Sequence, residues 1–533
     1  MNILIVDALA SNEGRRKYSR DVIGVGPRLL AGICQQNNIF SKIIRAEDLL
    51  ENNSNFSSFD IFLISAMTVD RIAVERVIRK IRNEMKDSTI VLGGPILSDK
   101  KVAKEVHADI GVTGEGEQIL DHLLKQDFSL SNIVEEHLEK YDLEQIGSSK
   151  IISQKHMSSK DIFGIFQPST KHIKDYPDYW FSKVYVETIR GCSNHYRGEI
   201  VKEKGSCSDC GNCSDPETII NGDCPEDIPP GCGFCSVPST FGAPKSRDIN
   251  LIVNEVKELL AEGVRRIVLS APGFLDFNRN PKNEPLFSPI NPPANIDSIQ
   301  ELLAKLVKIR DNQSHICSIS IENVKPSLVT TEVSKVLGEY LPGTSISIGC
   351  ETFDENHSRQ IGRPSTPTKA VEAAKLMSNN GLLPQIYLIH SLPGETVQSL
   401  NYTKKIVAKE LEDFVEKITV YKYLPLPNSP FTKTQTPLPT ERHLLKLQRE
   451  ELKNAIIDFN FKKKQSLIDT KAISVVAEMD RVREKTFICY PLFSGPAISI
   501  ESEKCIIGKV AEIKITEVIS DKLVFGEIKK MIE

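Results

Sequence analysis

The chain has 533 residues, with 67 Lys and Arg against 71 Asp and Glu, for a net charge of −4. That length suits roughly three or four domains, and the near balance of charge, with no long basic stripe, argues against a nucleic-acid partner. No run approaches the roughly 20 apolar residues of a membrane span, and the start, Met1-Asn2-Ile3-Leu4-Ile5-Val6-Asp7, lacks the basic flank and long apolar core of a secretory signal. The expectation is a cytoplasmic protein that could meet a lipid only peripherally, at a membrane surface.

Over residues 1–130 apolar runs alternate with helical periodicity. Residues 3–6 and 61–65 read as strands, and 27–35 and 72–85 as helices. Residues 90–92 run into Gly93-Gly94-Pro95, and 110–112 into Gly114-Glu115-Gly116-Glu117. Strand, glycine turn and helix in succession predict a doubly wound parallel sheet that binds ligands beyond the carboxyl ends of its strands. Residues 131–180 show little periodicity and read as a linker with helical pieces.

From 181 to 435 the rhythm returns. Candidate strands lie at 184–188, 266–270, 317–321, 345–349, 385–390 and 418–423, with helices such as 252–260, 299–309 and 368–380 between them. Six strand–helix units predict a partial (β/α)6 barrel with its chemistry in the loops at the carboxyl ends of the strands. A charged helical segment over 436–475 and a small antiparallel β barrel over 476–533 complete an α/β chain.

Most of the twelve cysteines cluster from Cys192 to Cys235, just after the first of those strands. In a chain expected inside the cell, such clustering favours metal ligation over disulfides. Closely spaced thiolates in a loop converge on a cluster at little ordering cost. Cys232-Gly233-Phe234-Cys235 is such a pair, and Cys192 closes Glu187-Thr188-Ile189-Arg190-Gly191. A structural zinc site is the alternative use of the same three thiols. Within the insertion 193–231 lie Cys207-x2-Cys210-x2-Cys213 and then Cys224-Pro225, which fit a second [4Fe-4S] cluster or a mononuclear zinc or iron site. Cys34, Cys317, Cys350, Cys489 and Cys505 stand singly in apolar surroundings and are expected in the core.

The cysteine pattern resembles the radical S-adenosylmethionine (SAM) superfamily, in which three cysteines after the first barrel strand hold a [4Fe-4S] cluster and SAM takes the fourth iron. Phe234 matches the aromatic residue usual before the last cysteine, although the family commonly has three residues between its first two cysteines and this chain has a long insertion. Gly349-Cys350-Glu351-Thr352 with Ile361-Gly362-Arg363-Pro364 resembles the fourth strand and its SAM-contacting region, and Leu392-Pro393-Gly394-Glu395-Thr396 resembles the loop after the fifth. The resemblance implies Cys192, Cys232 and Cys235 as cluster ligands. It also implies close approach of SAM at Gly273 and Gly349, an acceptor for its ribose at Glu351 and a partner for its carboxylate at Arg363. No side chain is assigned as catalytic. A reductant protein such as a ferredoxin would supply the electron that cleaves SAM to a 5′-deoxyadenosyl radical.

The first domain resembles the cobalamin-binding domain of one radical SAM class. Its Asp-x-His-x-x-Gly signature is absent, as it is in many members of that class, so the resemblance still permits cobalamin binding, and a retained fold serving as a substrate lid is the alternative. The segment Gly508-Lys509-Val510-Ala511-Glu512-Ile513-Lys514-Ile515-Thr516 resembles the TRAM module of RNA-modifying enzymes, with a packing role as the simpler reading. The overall plan, with Ile5-Val6-Asp7-Ala8, Glu13-Gly14 and Gly24-Val25-Gly26-Pro27-Arg28, resembles the archaeal ring synthases of glycerol dibiphytanyl glycerol tetraether (GDGT) lipids. That implies cyclopentane formation by hydrogen abstraction from unactivated carbon. A cobalamin-dependent radical C-methyltransferase and a tRNA-modifying methylthiotransferase relative are the alternatives.

Overall fold

The computed structural model describes residues 1–16, 20–51, 56–132, 139–154, 162–202, 207–213, 224–280, 284–433, 442–480 and 483–533. The chain forms two compact units, residues 1–187 with 247–264 and residues 188–246 with 265–533.

In the first unit β1 (Asn2–Asp7), β2 (Phe40–Arg45), β3 (Ile61–Ser65), β4 (Thr89–Gly93) and β5 (Ile110–Thr113) are parallel. With β6 (Tyr141–Ile146) and β7 (Ser149–Gln154) they form one sheet in the order β2-β1-β3-β4-β5-β7-β6. Helices α1 (Gly26–Gln36) and α2 (Arg71–Glu84) connect parallel strands, and α3 (Glu117–Lys125) leads from β5 to the β6–β7 hairpin. β1 and β3 are apolar and buried almost throughout, as parallel strands covered on both faces must be. The order reverses at β1, which places a switch point at the carboxyl ends of β1 and β3.

That edge is tied down by the chain itself. Asp7, buried at the end of β1, pairs with Arg16 at 3.0 Å and accepts from the Tyr176 hydroxyl at 3.0 Å. Asp70 accepts from the backbone N–H groups of Ala10, Asn12 and Met67 at 2.9 to 3.1 Å, which pins the loop after β1 to the loop after β3. Gly94, at φ +96°, lets the turn after β4 lie against the backbone of Ala66, where a Cβ would collide.

The stretch 131–180 corrects the sequence expectation, because β6 and β7 form an antiparallel hairpin that extends the sheet rather than a linker with helical pieces. β6 is an edge strand with most of its side chains exposed, so its composition carries little apolar periodicity. Those parts of the expected linker at 133–138 and 155–161 lie outside the described residues. β2 is a further strand the apolar pattern does not announce, because exposed Phe40 and Lys42 alternate with buried positions. The unit also holds β8 (Lys183–Glu187) and α4 (Ile249–Ala261). Arg28 on α1 is wholly buried, bonding Glu255 of α4 at 2.8 Å and the Tyr185 carbonyl at 2.6 Å. Glu255 also pairs with Arg247. Arg28, the last residue of the ring-synthase-like segment, thus has a structural role.

The second unit continues the strand–helix succession. Strands β9 (Arg266–Ser270) and β10 (Ser318–Ile321) pair in parallel, and β11 (Ser345–Glu351), β12 (Leu383–His390) and β13 (Lys417–Lys422) form a second parallel set with the short strand Asn323–Val324. Helices α5 (Ile296–Asp311), α6 (Thr331–Tyr340), α7 (Pro367–Asn379) and α8 (Val397–Lys409) fall between them. Side-chain caps from Asn295, Thr330, Thr366 and Thr396 start these four helices by satisfying free N–H groups of their first turns.

α9 (Arg442–Gln465) follows, and the start of the expected helical segment, 436–441, lies outside the described residues. β14 (Lys471–Met479), β15 (Thr486–Pro491), β16 (Ala497–Glu501), β17 (Val510–Val518) and β18 (Leu523–Met531) close into a barrel in the order β14-β15-β16-β18-β17. The barrel begins before residue 476, and it is not wholly antiparallel, since β16 and β18 run in parallel. It packs on the amino ends of the larger strands. Ser318 bonds the Leu492 carbonyl, Ser345 bonds Ser494, and Arg265 pairs with Glu533 at 2.7 Å. Among the described residues no helix is long and apolar enough to cross a membrane.

Candidate functional site

The site lies at the opposite, carboxyl ends of the strands. Ile189–Arg190 pairs antiparallel with Lys245–Ser246, a clip that gathers the two ends of the cysteine-bearing segment. Gly191, at φ +87°, lies so close to the carbonyls of Gly242 and Ala243 that no Cβ fits, and the next amide, Cys192 N–H, donates to the Gly242 carbonyl at 3.0 Å. The Cys232–Cys235 loop is a tight turn closed by Cys235 N–H to the Cys232 carbonyl at 2.9 Å. Its Gly233 is held from two sides, by the Ile361 carbonyl and the Phe431 amide, each at 2.8 Å.

All three sulfurs accept hydrogen bonds. Asn194 N–H points at Cys192 Sγ at 3.5 Å, Asn194 Nδ2 at Cys232 Sγ at 3.2 Å and Val237 N–H at Cys235 Sγ at 3.5 Å. Arg363 Nη1 reaches Cys232 Sγ at 3.4 Å. A set of donors aimed at sulfur fits thiolates held in an iron–sulfur cluster, whose potential such bonds tune. Burial, with the neighbouring cysteines adding to it and Arg363 opposing, pushes the Cys232 thiol up and the Cys235 thiol up to about 12, so binding of a metal there would release protons.

The proposed SAM contacts gather beside these sulfurs. Arg363 Nη2 donates to the Gly349 carbonyl at 2.8 Å, and its Nη1 stands 3.6 Å from Glu351, which sits at φ +69° at the end of β11. A Cβ on Gly349 would press on Glu351 and Arg363. Burial raises the Glu351 carboxyl above its ordinary range, and the Arg363 charge only partly offsets this. Gly273 lies after β9 with the Lys325 side chain against its Cα.

Lys325 leads to residues that the sequence reading missed. Its ammonium, buried after the short strand Asn323–Val324, bonds Asp276 and Ser193 Oγ, the latter at 2.6 Å. Arg279 bonds the same Asp276 at 2.6 Å and the Ser288 carbonyl at 2.6 Å. Burial would raise the Asp276 carboxyl, but the Lys325 and Arg279 charges hold it below its usual range. His195 is driven down to about 3 by burial and by the charges of Arg197 and Lys325, so its imidazole is neutral. The available signal was positional: Lys325, Asp276 and Arg279 all follow barrel strands at their carboxyl ends.

The other expected core cysteines divide. Cys34, Cys317, Cys350 and Cys489 are buried, but Cys505 is exposed, because it lies in the turn between β16 and β17 rather than on a strand. The loop 392–396 also has a structural role. Glu395 accepts from Ser391 N–H at 2.7 Å and pairs with Arg449 of α9 at 2.6 Å, and the Pro393 carbonyl contacts His357. In the insertion Cys207, Cys210, Cys213 and Cys224 line one cavity with Arg197 and Lys202. Among the described residues no three His, Cys, Asp or Glu side chains converge as the shell of a single ion.

A radical SAM superfamily model matches residues 219–406. An uncharacterized protein of Methanopyrus kandleri is 35% identical across all of this chain and 97% of its own, and one of Methanocaldococcus jannaschii is 36% identical across 99% of both. The chain belongs to the radical SAM superfamily. More distantly, the tRNA-2-methylthio-N6-dimethylallyladenosine synthase of Clostridium novyi is 25% identical over 56% of this chain and 61% of that protein. Among solved structures, the radical SAM methyltransferase TsrM from Kitasatospora setae, with cobalamin and a [4Fe-4S] cluster bound, matches at TM-score 0.56 and 13% identity. That match covers 81% of this chain and 73% of TsrM. The cobalamin-dependent SAM radical enzyme OxsB matches at TM-score 0.53 and 12% identity, covering 85% of this chain and 56% of OxsB. The fold is that of the cobalamin-dependent radical SAM enzymes, and a [4Fe-4S] cluster and SAM are the cofactors of this radical SAM enzyme.

Proposed function

We propose that Cys192, Cys232 and Cys235 ligate the SAM-binding cluster and that the enzyme abstracts hydrogen from unactivated carbon, closing cyclopentane rings in archaeal membrane tetraether lipids. The observation that carries the site is the convergence of hydrogen-bond donors on all three sulfurs at the carboxyl ends of the barrel strands. Bound at the cluster, SAM supplies on reduction a 5′-deoxyadenosyl radical that takes hydrogen from carbon. The chain's own residues do the rest. Gly273 and Gly349 let Lys325 and the Glu351–Arg363 pair lie close against the backbone, Arg363 and Glu351 offer SAM charge and an acceptor, and Lys325 with Asp276 fixes Ser193 beside Cys192. The lipid reading is supported by the opening segments, by the domain plan and by full-length relatives that are both archaeal.

A second reading, cobalamin-dependent C-methylation, is favoured by the likeness to TsrM. The first unit is compatible with a corrinoid, since the carboxyl end of β5 carries Gly114 at φ +77° with open space where a Cβ would be. Methylthio transfer to RNA is less well supported. Only Cys34 lies in residues 1–187 to serve a cluster there, and the small barrel packs on the end of the strands away from the site.

The test is anaerobic incubation of reconstituted enzyme with SAM, reductant and tetraether lipid, with mass spectrometry of nucleoside and lipid. Loss of hydrogen from the lipid together with 5′-deoxyadenosine and without methyl gain is the expected result. Lipid unchanged, with corrinoid bound and methyl transferred to another acceptor, would establish the second reading instead.

A further inference from the structure

We propose that Cys207, Cys210, Cys213 and Cys224 hold a second [4Fe-4S] cluster, through which the electron for SAM cleavage enters. The site is built from three observations. Three thiols at two-residue spacing copy the start of the bacterial ferredoxin ligand run, and Cys224-Pro225 adds its Cys-Pro pair after ten intervening residues, whereas structural zinc sites favour two separated pairs. The structure brings the distant Cys224 to the other three around one cavity, with Cys207–Cys210 forming a helical turn. Two cations face the same cavity. Lys202 donates to the Cys213 carbonyl at 3.0 Å and lies 4.5 Å from the centroid of the Tyr196 ring, while Arg197 is anchored to the Ile228 carbonyl at 2.8 Å. These cations offset the negative charge that four thiolates and a cluster carry.

The position suits electron entry. All four cysteines are partly exposed, as Cys192 and Cys235 are, so a donor protein can approach them. Asn194 touches Cys232 Sγ and Arg197 lines the second cavity. These two residues are three apart in the chain, so their Cα atoms stand at most about 11 Å apart and one short stretch joins the two cysteine groups. Gly198 seats this stretch against the backbone of residues 360–362, beside Arg363. The step balances as one electron lost by a low-potential donor such as a ferredoxin, one gained by the second cluster and one passed on to the SAM cluster. This relay role rests on the ligand assignment made above for Cys192, Cys232 and Cys235, whereas the metal site itself does not.

The experiment uses the full chain reconstituted with ferrous iron and sulfide. Iron and labile sulfide per chain are expected to fall by half in Cys210→Ser/Cys213→Ser and, separately, by half in Cys192→Ser/Cys235→Ser. Unmutated protein, after reduction, should show two cluster signals by electron paramagnetic resonance, of which SAM perturbs one. Zinc in place of half the iron, or a single cluster signal in unmutated protein, would overturn the proposal whatever the variants do. Two signals with neither perturbed by SAM would leave the second cluster standing and sink the SAM-site assignment instead. For the relay, rapid mixing with reduced ferredoxin should reduce the SAM cluster at least tenfold more slowly in Cys210→Ser/Cys213→Ser. An unchanged rate would overturn it.

Discussion

Cys232, buried, and Cys235, partly exposed, sit in a turn held from both sides by backbone hydrogen bonds, and each sulfur accepts a donor from the chain. Cys207, Cys210, Cys213 and Cys224 stand partly exposed in an insertion, around a cavity that Arg197 and Lys202 line together with Glu226. The first arrangement would hold a metal group beside a network of buried charges, where substrate chemistry can be kept from water. The second would hold one on an insertion, where a partner protein can approach.

The sharpest test of this division is Cys232→Ser. It should remove the SAM cluster and lower 5′-deoxyadenosine formation by about a thousandfold or more, as loss of one member of a working unit does, while the iron of the insertion stays bound. Iron analysis with nucleoside quantification reads both, and retention of SAM cleavage would break the comparison.

Next in size is the buried charge network. Lys325→Met leaves Asp276 with Arg279 alone as its cation and should cost up to about 3–5 kcal/mol by denaturant unfolding, and the double variant Lys325→Met/Asp276→Leu, which strips buried Arg279 of its carboxylate as well, should cost more. The pH dependence has a definite sign. Because the folded Asp276 carboxyl titrates below its unfolded value, its stabilisation is complete above about pH 4 and is lost as pH falls through the lower folded value. Unmutated protein should therefore lose stability on acidification in that window more steeply than the double variant. Equal slopes would remove Asp276 from the account.

Gly198→Ala acts where the two cysteine groups meet, since its Cβ would collide with the backbone at Gln360 and Gly362. Overpacking there should destabilise by about 1–3 kcal/mol and disturb iron at both sites. An effect confined to one site would show that they are mechanically separate. The smallest effect is expected for Arg363→Lys, which keeps the charge but loses the fork joining Gly349, Glu351 and Cys232. SAM affinity, read from the cluster spectrum, should weaken roughly tenfold, about 1.4 kcal/mol.

The strands that bear the site were legible from apolar runs alone, and residues 61–65 and 266–270 coincide with β3 and β9. Exposed edges were not legible. β6 carries polar side chains because one flank faces solvent, and β2 alternates for the same reason. Lys325, Asp276 and Arg279 escaped notice because isolated charges after strands look like ordinary surface residues until a fold buries them together.

By itself the sequence pointed to the radical SAM superfamily, because the Cys232–Cys235 spacing and the motifs at 349–352, 361–364 and 392–396 are local, whereas Cys192 joins Cys232 only in the fold. It also determined the succession of sheet, barrel and small β domain, because burial on both faces writes an apolar run into each core strand. Tertiary structure alone decided which groups stand near which. It turned Arg28 into a structural ion pair, set the small barrel on the amino ends of the strands, placed Arg363 on Cys232 and brought Cys224 to the other insertion thiols. Each of these joins residues far apart in the chain, and such contacts depend on how elements pack rather than on any local pattern.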